Sequence, residues 1–259
     1  MSRSLPGSLL DVSWDHNSHY HGHLLRQALP YGPAVDRRAL AGPPRGGPAD
    51  ARPPRPRALD VGCGGGRFAR LLATRGFIVD AIDPENRMIE TARALTPPRL
   101  PVDYRVASLE EAELDPEGYG FVSAVSSIHH MPFGPSLERM ASALAPGGTL
   151  AVLGHYRERG WADAAVALAA LGPQWTIGAG LRVARALTKT PDLHRSGPTA
   201  DMPVREPDMG LDEIAEAVRA HLPGARLRRL LFWRYSLVYT RPARSRTGAD
   251  RRRAGTPLP

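Results

Sequence analysis

The stretch ALDVGCGGGRF, residues 58–68, constrains the fold more than any other part of the chain. An apolar run ends at Val61, glycines stand at 62, 64 and 66, and a helical pattern begins near Arg67. Alternate glycines permit a tight reversal from strand into helix, because glycine reaches left-handed backbone without steric cost, and they let a ligand approach the helix N-terminus. The same alternation continues downstream. Residues 77–82, 102–106, 121–128 and 149–154 are strand-like, and 67–75, 85–95 and 136–144 carry apolar residues at spacings of three and four. Repeated strand–helix alternation predicts a doubly wound α/β fold with a mostly parallel sheet. Near the C-terminus, a helix over 211–222 is stopped by Pro223 and Gly224, and 226–233 and 235–241 lie too close for a crossover helix. They are expected to pair as an antiparallel hairpin.

The organisation read from composition has four parts. Residues 1–40 form an N-terminal arm, 41–56 a Pro/Gly/Arg-rich linker, 57–241 the folded domain, and 242–259 a disordered basic tail. Within the domain, an insertion over about 157–209 holds two helical patterns, 161–171 and 177–187. The net charge of +8 is concentrated at the edges: residues 37–57 and 241–259 each carry six Arg and one Asp, so the remainder sums to −2. The longest apolar run, 164–171, is far shorter than the roughly 18 residues of a membrane span, and the opening residues have no apolar signal core. A cytoplasmic protein with no membrane partner is expected. The single Cys excludes an intrachain disulfide framework and a cysteine-cluster zinc site.

Asp83 ends the second strand, 17 residues after Gly66, where a carboxylate can accept both hydroxyl protons of an adenosine ribose. A dinucleotide fingerprint, G-x-G-x-x-G, would need glycine at 67, and Arg67 stands there. An NAD-linked oxidoreductase is therefore the weaker reading. The actual spacing, G-x-G-x-G preceded by Asp60, resembles the first motif of the class I S-adenosylmethionine-dependent methyltransferases, small-molecule bacterial members in particular. Residues 106–114, 121–132 and 137–154 resemble three further segments of that family in the right order. The resemblance covers roughly 57–156 and 226–241.

What the resemblance implies is a Rossmann-like methyltransferase fold holding S-adenosyl-L-methionine. It places the cofactor at Asp60, Gly62, Gly64, Gly66 and Asp83, with Pro84 and Met88 flanking the adenine and Ser108, Leu109 and Ser126 as further contacts. The arm resembles a leader that closes over cofactor and substrate, with Tyr20 and His21 turned inward and Tyr156 at the acceptor. A plain packing helix or a metal site at His16, His19, His21 and His23 are the alternatives, and no Cys or carboxylate cluster supports a metal.

His129 and His130 follow the fourth strand and His155 the fifth, at the mouth of the expected cleft. Histidine suits removal of a hydroxyl proton at neutral pH, so the three are candidate catalytic residues, with simple packing as the alternative for His129 and His130. The chain lacks the (D/N)-P-P-(Y/F) of base amino methylation and the paired Glu of arginine methylation, and Cys63 lies inside the glycine loop. A small-molecule acceptor remains, O-methylation being favoured. The alternative is a nucleic-acid-directed methyltransferase or RNA-binding module using the Arg-rich segments.

Overall fold

The structure is a computed structural model that describes residues 16–28, 55–158 and 206–243, with single positions at 176, 180 and 187. Apart from Gly180 and Leu187, the two expected insertion helices lie outside the described residues, as do nearly all of the 41–56 linker and all but the first two residues of the 242–259 tail. The elements are α1 (His16–Ala28), β1 (Arg57–Val61), α2 (Arg67–Thr74), β2 (Ile78–Asp83), α3 (Asn86–Leu95), β3 (Val102–Val106), β4 (Tyr119–Val125), a 3-10 turn (Ile128–His130), α4 (Phe133–Ala143), β5 (Leu144–His155), α5 (Leu211–His221), β6 (Arg226–Leu230) and β7 (Arg234–Thr240).

The strands form one seven-stranded sheet in the order β3-β2-β1-β4-β5-β7-β6. β1 through β5 are parallel, and β7 runs antiparallel to both β5 and β6. Apolar side chains alternate between the two faces with the period of an extended chain. On β5, Leu150 and Val152 join the cluster under α4 and α5, whereas Ala151 and Leu153 join the one under α1, α2 and α3. Both faces are covered, which explains why the central strands read as near-continuous apolar runs.

The chain order reverses between β1 and β4, so the crevice outside their carboxyl ends is where such a sheet receives ligands. The glycine loop follows β1 there, and the Ser126–His130 segment follows β4. α1 lies across the same end of the sheet, with Leu24 fully buried and Tyr20 and His21 nearly so. Tyr20 donates its hydroxyl to Leu231 O at 3.1 Å, and His19 stands edge-on to Phe232 at 6.2 Å between ring centres.

Two boundaries differ from the sequence expectation. β5 begins at Leu144 rather than 149, because the APGG segment already runs alongside β4 through a register shift near Tyr119. β6 stops at Leu230 rather than 233. Phe232 and Trp233 adopt φ of 59° and 58°, turning the hairpin through left-handed backbone that large residues rarely enter. Burial of Phe232 in the core cluster that includes Tyr20 and Leu24 of α1 offsets that strain.

Candidate active site

Gly62, Gly64 and Gly66 have φ of 66°, 50° and 73°, all in the left-handed region. A Cβ at Gly62 would sit 2.3 Å from the Ser127 Cβ, and one at Gly66 would sit 2.3 Å from the Tyr104 hydroxyl. The loop is thus fixed by close packing as well as by backbone conformation. Gly62 and Cys63 both donate N–H to Ile82 O, at 2.8 and 3.0 Å, and Ser127 Oγ donates to Val61 O at 2.6 Å. Loop, β2 and the segment after β4 therefore form one rigid cradle. Burial pushes the Cys63 thiol up, with Asp60 and Asp83 adding to the effect, which disfavours the reactive thiolate.

Two carboxylates frame this loop. Asp83 accepts from Gly64 N at 2.8 Å through Oδ2 and from Glu85 N at 3.0 Å through Oδ1, leaving acceptor capacity on each oxygen for a diol. Asp60 is fully enclosed; its Oδ1 accepts from Ser123 Oγ at 2.7 Å, and its Oδ2 has no hydrogen-bond partner among the described residues. Burial pushes the Asp60 carboxyl up to about 7, the Ser123 hydroxyl opposing the shift and the Asp83 charge adding to it. Pro84 is exposed at the rim and Met88 is buried on α3. Ser108 donates its hydroxyl to Glu111 Oε2 at 3.0 Å at the start of a turn, and Leu109 is buried behind it.

The three candidate histidines come together. The His129 ring lies 4.2 Å from that of His130 and 5.1 Å from that of His155. All three line a cavity of about 330 Å³ whose other walls include Met131, Phe133, Asp208, Met209 and Tyr235. Burial raises the Tyr235 phenol, which keeps its proton. Ser126, at φ 56°, donates Oγ–H to Asn17 Oδ1 at 2.8 Å and lies 3.3 Å from His155 Nε2.

Tyr156 is placed differently from the acceptor contact expected of it. Its ring is buried in the core cluster beneath α4 and α5, with the Arg229 guanidinium 5.5 Å from the ring centre. The arm histidines diverge: His21 packs on Phe68 at 5.3 Å, His23 Nε2 meets Ser236 Oγ at 3.0 Å, and His19 faces Tyr20 and Phe232. No group of three or more potential metal ligands occurs among the described residues.

Sequence reasoning missed Asn17, Asp208, Met209 and Arg234. Only Asn17 carried a signal, standing four residues before His21 on the helical face that turns inward.

Residues 59–152 match the family model described as a methyltransferase domain. This stretch is a methyltransferase domain of the class I S-adenosylmethionine-dependent type. It is 37% identical over 125 residues to a ubiquinone biosynthesis O-methyltransferase of Xanthomonas campestris, covering 47% of this chain and 51% of that one. It is 29% identical over 194 residues to an uncharacterized methyltransferase of Mycobacterium tuberculosis, covering 71% and 86%. The chain thus spans about half the length of the ubiquinone relative. A crystal structure from Pyrococcus horikoshii OT3 has the same fold, with a TM-score of 0.53 at 17% identity over 89% of this chain and 93% of that one.

The family's cofactor is S-adenosylmethionine, and the residues fit it. Asp83 offers a pre-set carboxylate to a ribose diol, and Asp60 places a second, buried carboxyl below the loop.

Proposed function

We propose that this protein methylates the oxygen of a small acceptor with an acidic hydroxyl, a phenol or enol, bound in the histidine-lined cavity. The observation that carries the reading is the convergence of His129, His130 and His155 on one pocket of about 330 Å³ beside the cradle. That volume suits a small molecule. Its walls mix apolar side chains, Ile128, Met131, Phe133, Met209 and Ile214, with polar ones, the three histidines, Asp208 and Tyr235.

When bound, S-adenosylmethionine supplies an electrophilic methyl group. Asp83, Asp60 and the glycine loop hold the cofactor, with Pro84, Met88, Ser108 and Leu109 flanking its base. The imidazoles orient the acceptor and take its proton. A base with a pKa near 7 is well matched to a phenolic hydroxyl near 10 and poorly matched to an aliphatic alcohol. α1 acts as the lid, with Tyr20 and His21 packed inward and Asn17 held against Ser126. The ubiquinone relative, an O-methyltransferase by name, supports oxygen as the target.

Incubation with methyl-labelled cofactor and panels of phenols, enols, amines and transfer RNA tests the reading. Label in an ether product is expected. Label confined to nitrogen or to RNA overturns it.

A further inference from the structure

Four side chains from four separate parts of the fold make a hydrogen-bonded chain beside the cavity. Arg234 on β7 donates Nε–H to Asn17 Oδ1 at 3.0 Å, Ser126 Oγ reaches the same Oδ1 at 2.8 Å, and Ser126 Oγ lies 3.3 Å from His155 Nε2. The direction of every bond follows from chemistry. Arginine has only donors, so the Asn17 atom facing it is the amide oxygen. An amide oxygen only accepts, so Ser126 gives its single proton to Asn17. The hydroxyl then has only lone pairs for His155, and Nε2 must carry the hydrogen.

We infer that Asn17, acting through Ser126, holds neutral His155 in the Nε2–H tautomer and thereby makes Nδ1 the nitrogen that takes the acceptor's proton. The role of Nδ1 rests on the O-methylation reading; the bond order does not. The opposite tautomer would set the Nε2 lone pair against the Ser126 oxygen. Turning the hydroxyl to satisfy it would leave two oxygens, Ser126 Oγ and Asn17 Oδ1, facing each other at 2.8 Å. Both neighbours are held in place: Ser126 N donates to Leu153 O at 2.7 Å, and Arg234 donates a second N–H to Phe232 O.

The proton step is balanced within one ring. The acceptor O–H bond breaks, an N–H bond forms at Nδ1, and the imidazolium keeps its Nε2–H on Ser126. Among the described residues, the charged or titratable groups around it include His129 at 5.1 Å between rings, Arg234 behind Asn17, and His130, Asp208 and Tyr235 in the cavity wall. Asn17 and Ser126 are positioning residues here. They give α1 a second task besides covering the site, since a helix that departs takes the proton order with it.

The test is long-range proton–nitrogen NMR of the full chain labelled at histidine nitrogen, above the imidazole titration range, with His155→Gln assigning the signal. A single Nε2–H pattern is expected for the natural protein. Asn17→Ala frees the Ser126 proton and is expected to give a mixed or Nδ1–H pattern, whereas Asn17→Asp, whose carboxylate still accepts both donors, retains Nε2–H. Should Asn17→Ala not fold, Ser126→Ala removes the partner of Nε2 and is also expected to mix the tautomers. With a methylated acceptor in hand, Asn17→Ala is expected to lower kcat roughly tenfold or more with KM little changed, and Asn17→Asp to recover most of it. A natural protein in the Nδ1–H form, or a pattern indifferent to both alanine changes, overturns the inference. An Nε2–H pattern that responds as expected in a protein that methylates no hydroxyl acceptor overturns the base assignment and the O-methylation reading while upholding the bond order.

Discussion

Gly64 donates its backbone N–H to Asp83 Oδ2 at 2.8 Å, which ties the loop after β1 to the carboxylate that ends β2. Neither half of the cofactor site is therefore set independently. Replacing Asp83 removes the acceptor for a ribose diol and also releases the loop.

Asp83→Ala is accordingly expected to weaken S-adenosylhomocysteine binding by roughly 10- to 100-fold, the effect of losing a charged hydrogen-bond partner. Isothermal titration reads the affinity. Unchanged binding would show that the diol is held elsewhere.

Gly66 and Gly22 should respond oppositely to the same change. Gly66→Ala forces a Cβ into φ 73° and to 2.3 Å from the Tyr104 hydroxyl, itself bonded to Gly66 O. The left-handed conformation alone costs about 1–2 kcal/mol. Gly22 lies within α1, and a methyl group added there would meet nothing within 4 Å, so Gly22→Ala is expected to add about 0.5–1 kcal/mol. Urea unfolding midpoints distinguish the two.

How far the sequence can be read follows from the range of the interactions involved. The glycine loop, the strand alternation and Asp83 are local patterns, and β1, α2, β2, α3 and β3 lie within a residue or so of their expected places. The hairpin turn falls elsewhere than expected because Phe232 and Trp233 carry no turn signal; their backbone is dictated by α1, more than 200 positions earlier. His129, His130 and His155 are visible in the sequence because they follow strand ends. Asn17 and Arg234 are not, since their role exists only once α1 and β7 meet beside β4. Asp208 and Met209 reach the cavity from the far end of the insertion, a connection that no local pattern encodes.

Asp60 predicts a stability profile with an unusual slope. Its carboxyl rises from 3.8 to about 7 on folding, so between those values the folded chain binds more protons than the unfolded one. Stability contributed by protonated Asp60 is present in full below about pH 4 and is lost as pH rises through 7. Asp60→Asn keeps an oxygen for Ser123 and carries no charge. It is expected to flatten the profile and to exceed the natural protein in stability at pH 8. Chemical denaturation at pH 4, 6 and 8 decides; parallel profiles for the two proteins would mean that Asp60 does not titrate in this range.

The basic C-terminal segment separates the small-acceptor reading from a polyanion-directed one. Residues 244–259 contribute five Arg and one Asp, half of the total charge of +8, whereas among the described residues the cradle and the histidine cavity are built from positions before 244. A chain ending at Ala243 is therefore expected to keep its cofactor affinity and its rate on a small hydroxyl acceptor. Its weak retention on heparin should fall, because each phosphate or sulfate contact releases counterions and makes binding steeply salt-dependent. If the shortened chain instead binds cofactor normally but loses methyl transfer, and the loss in the full chain is mimicked by raising salt, the acceptor is an anionic polymer held by the arginines. The cavity would then receive only the part of that polymer that reacts.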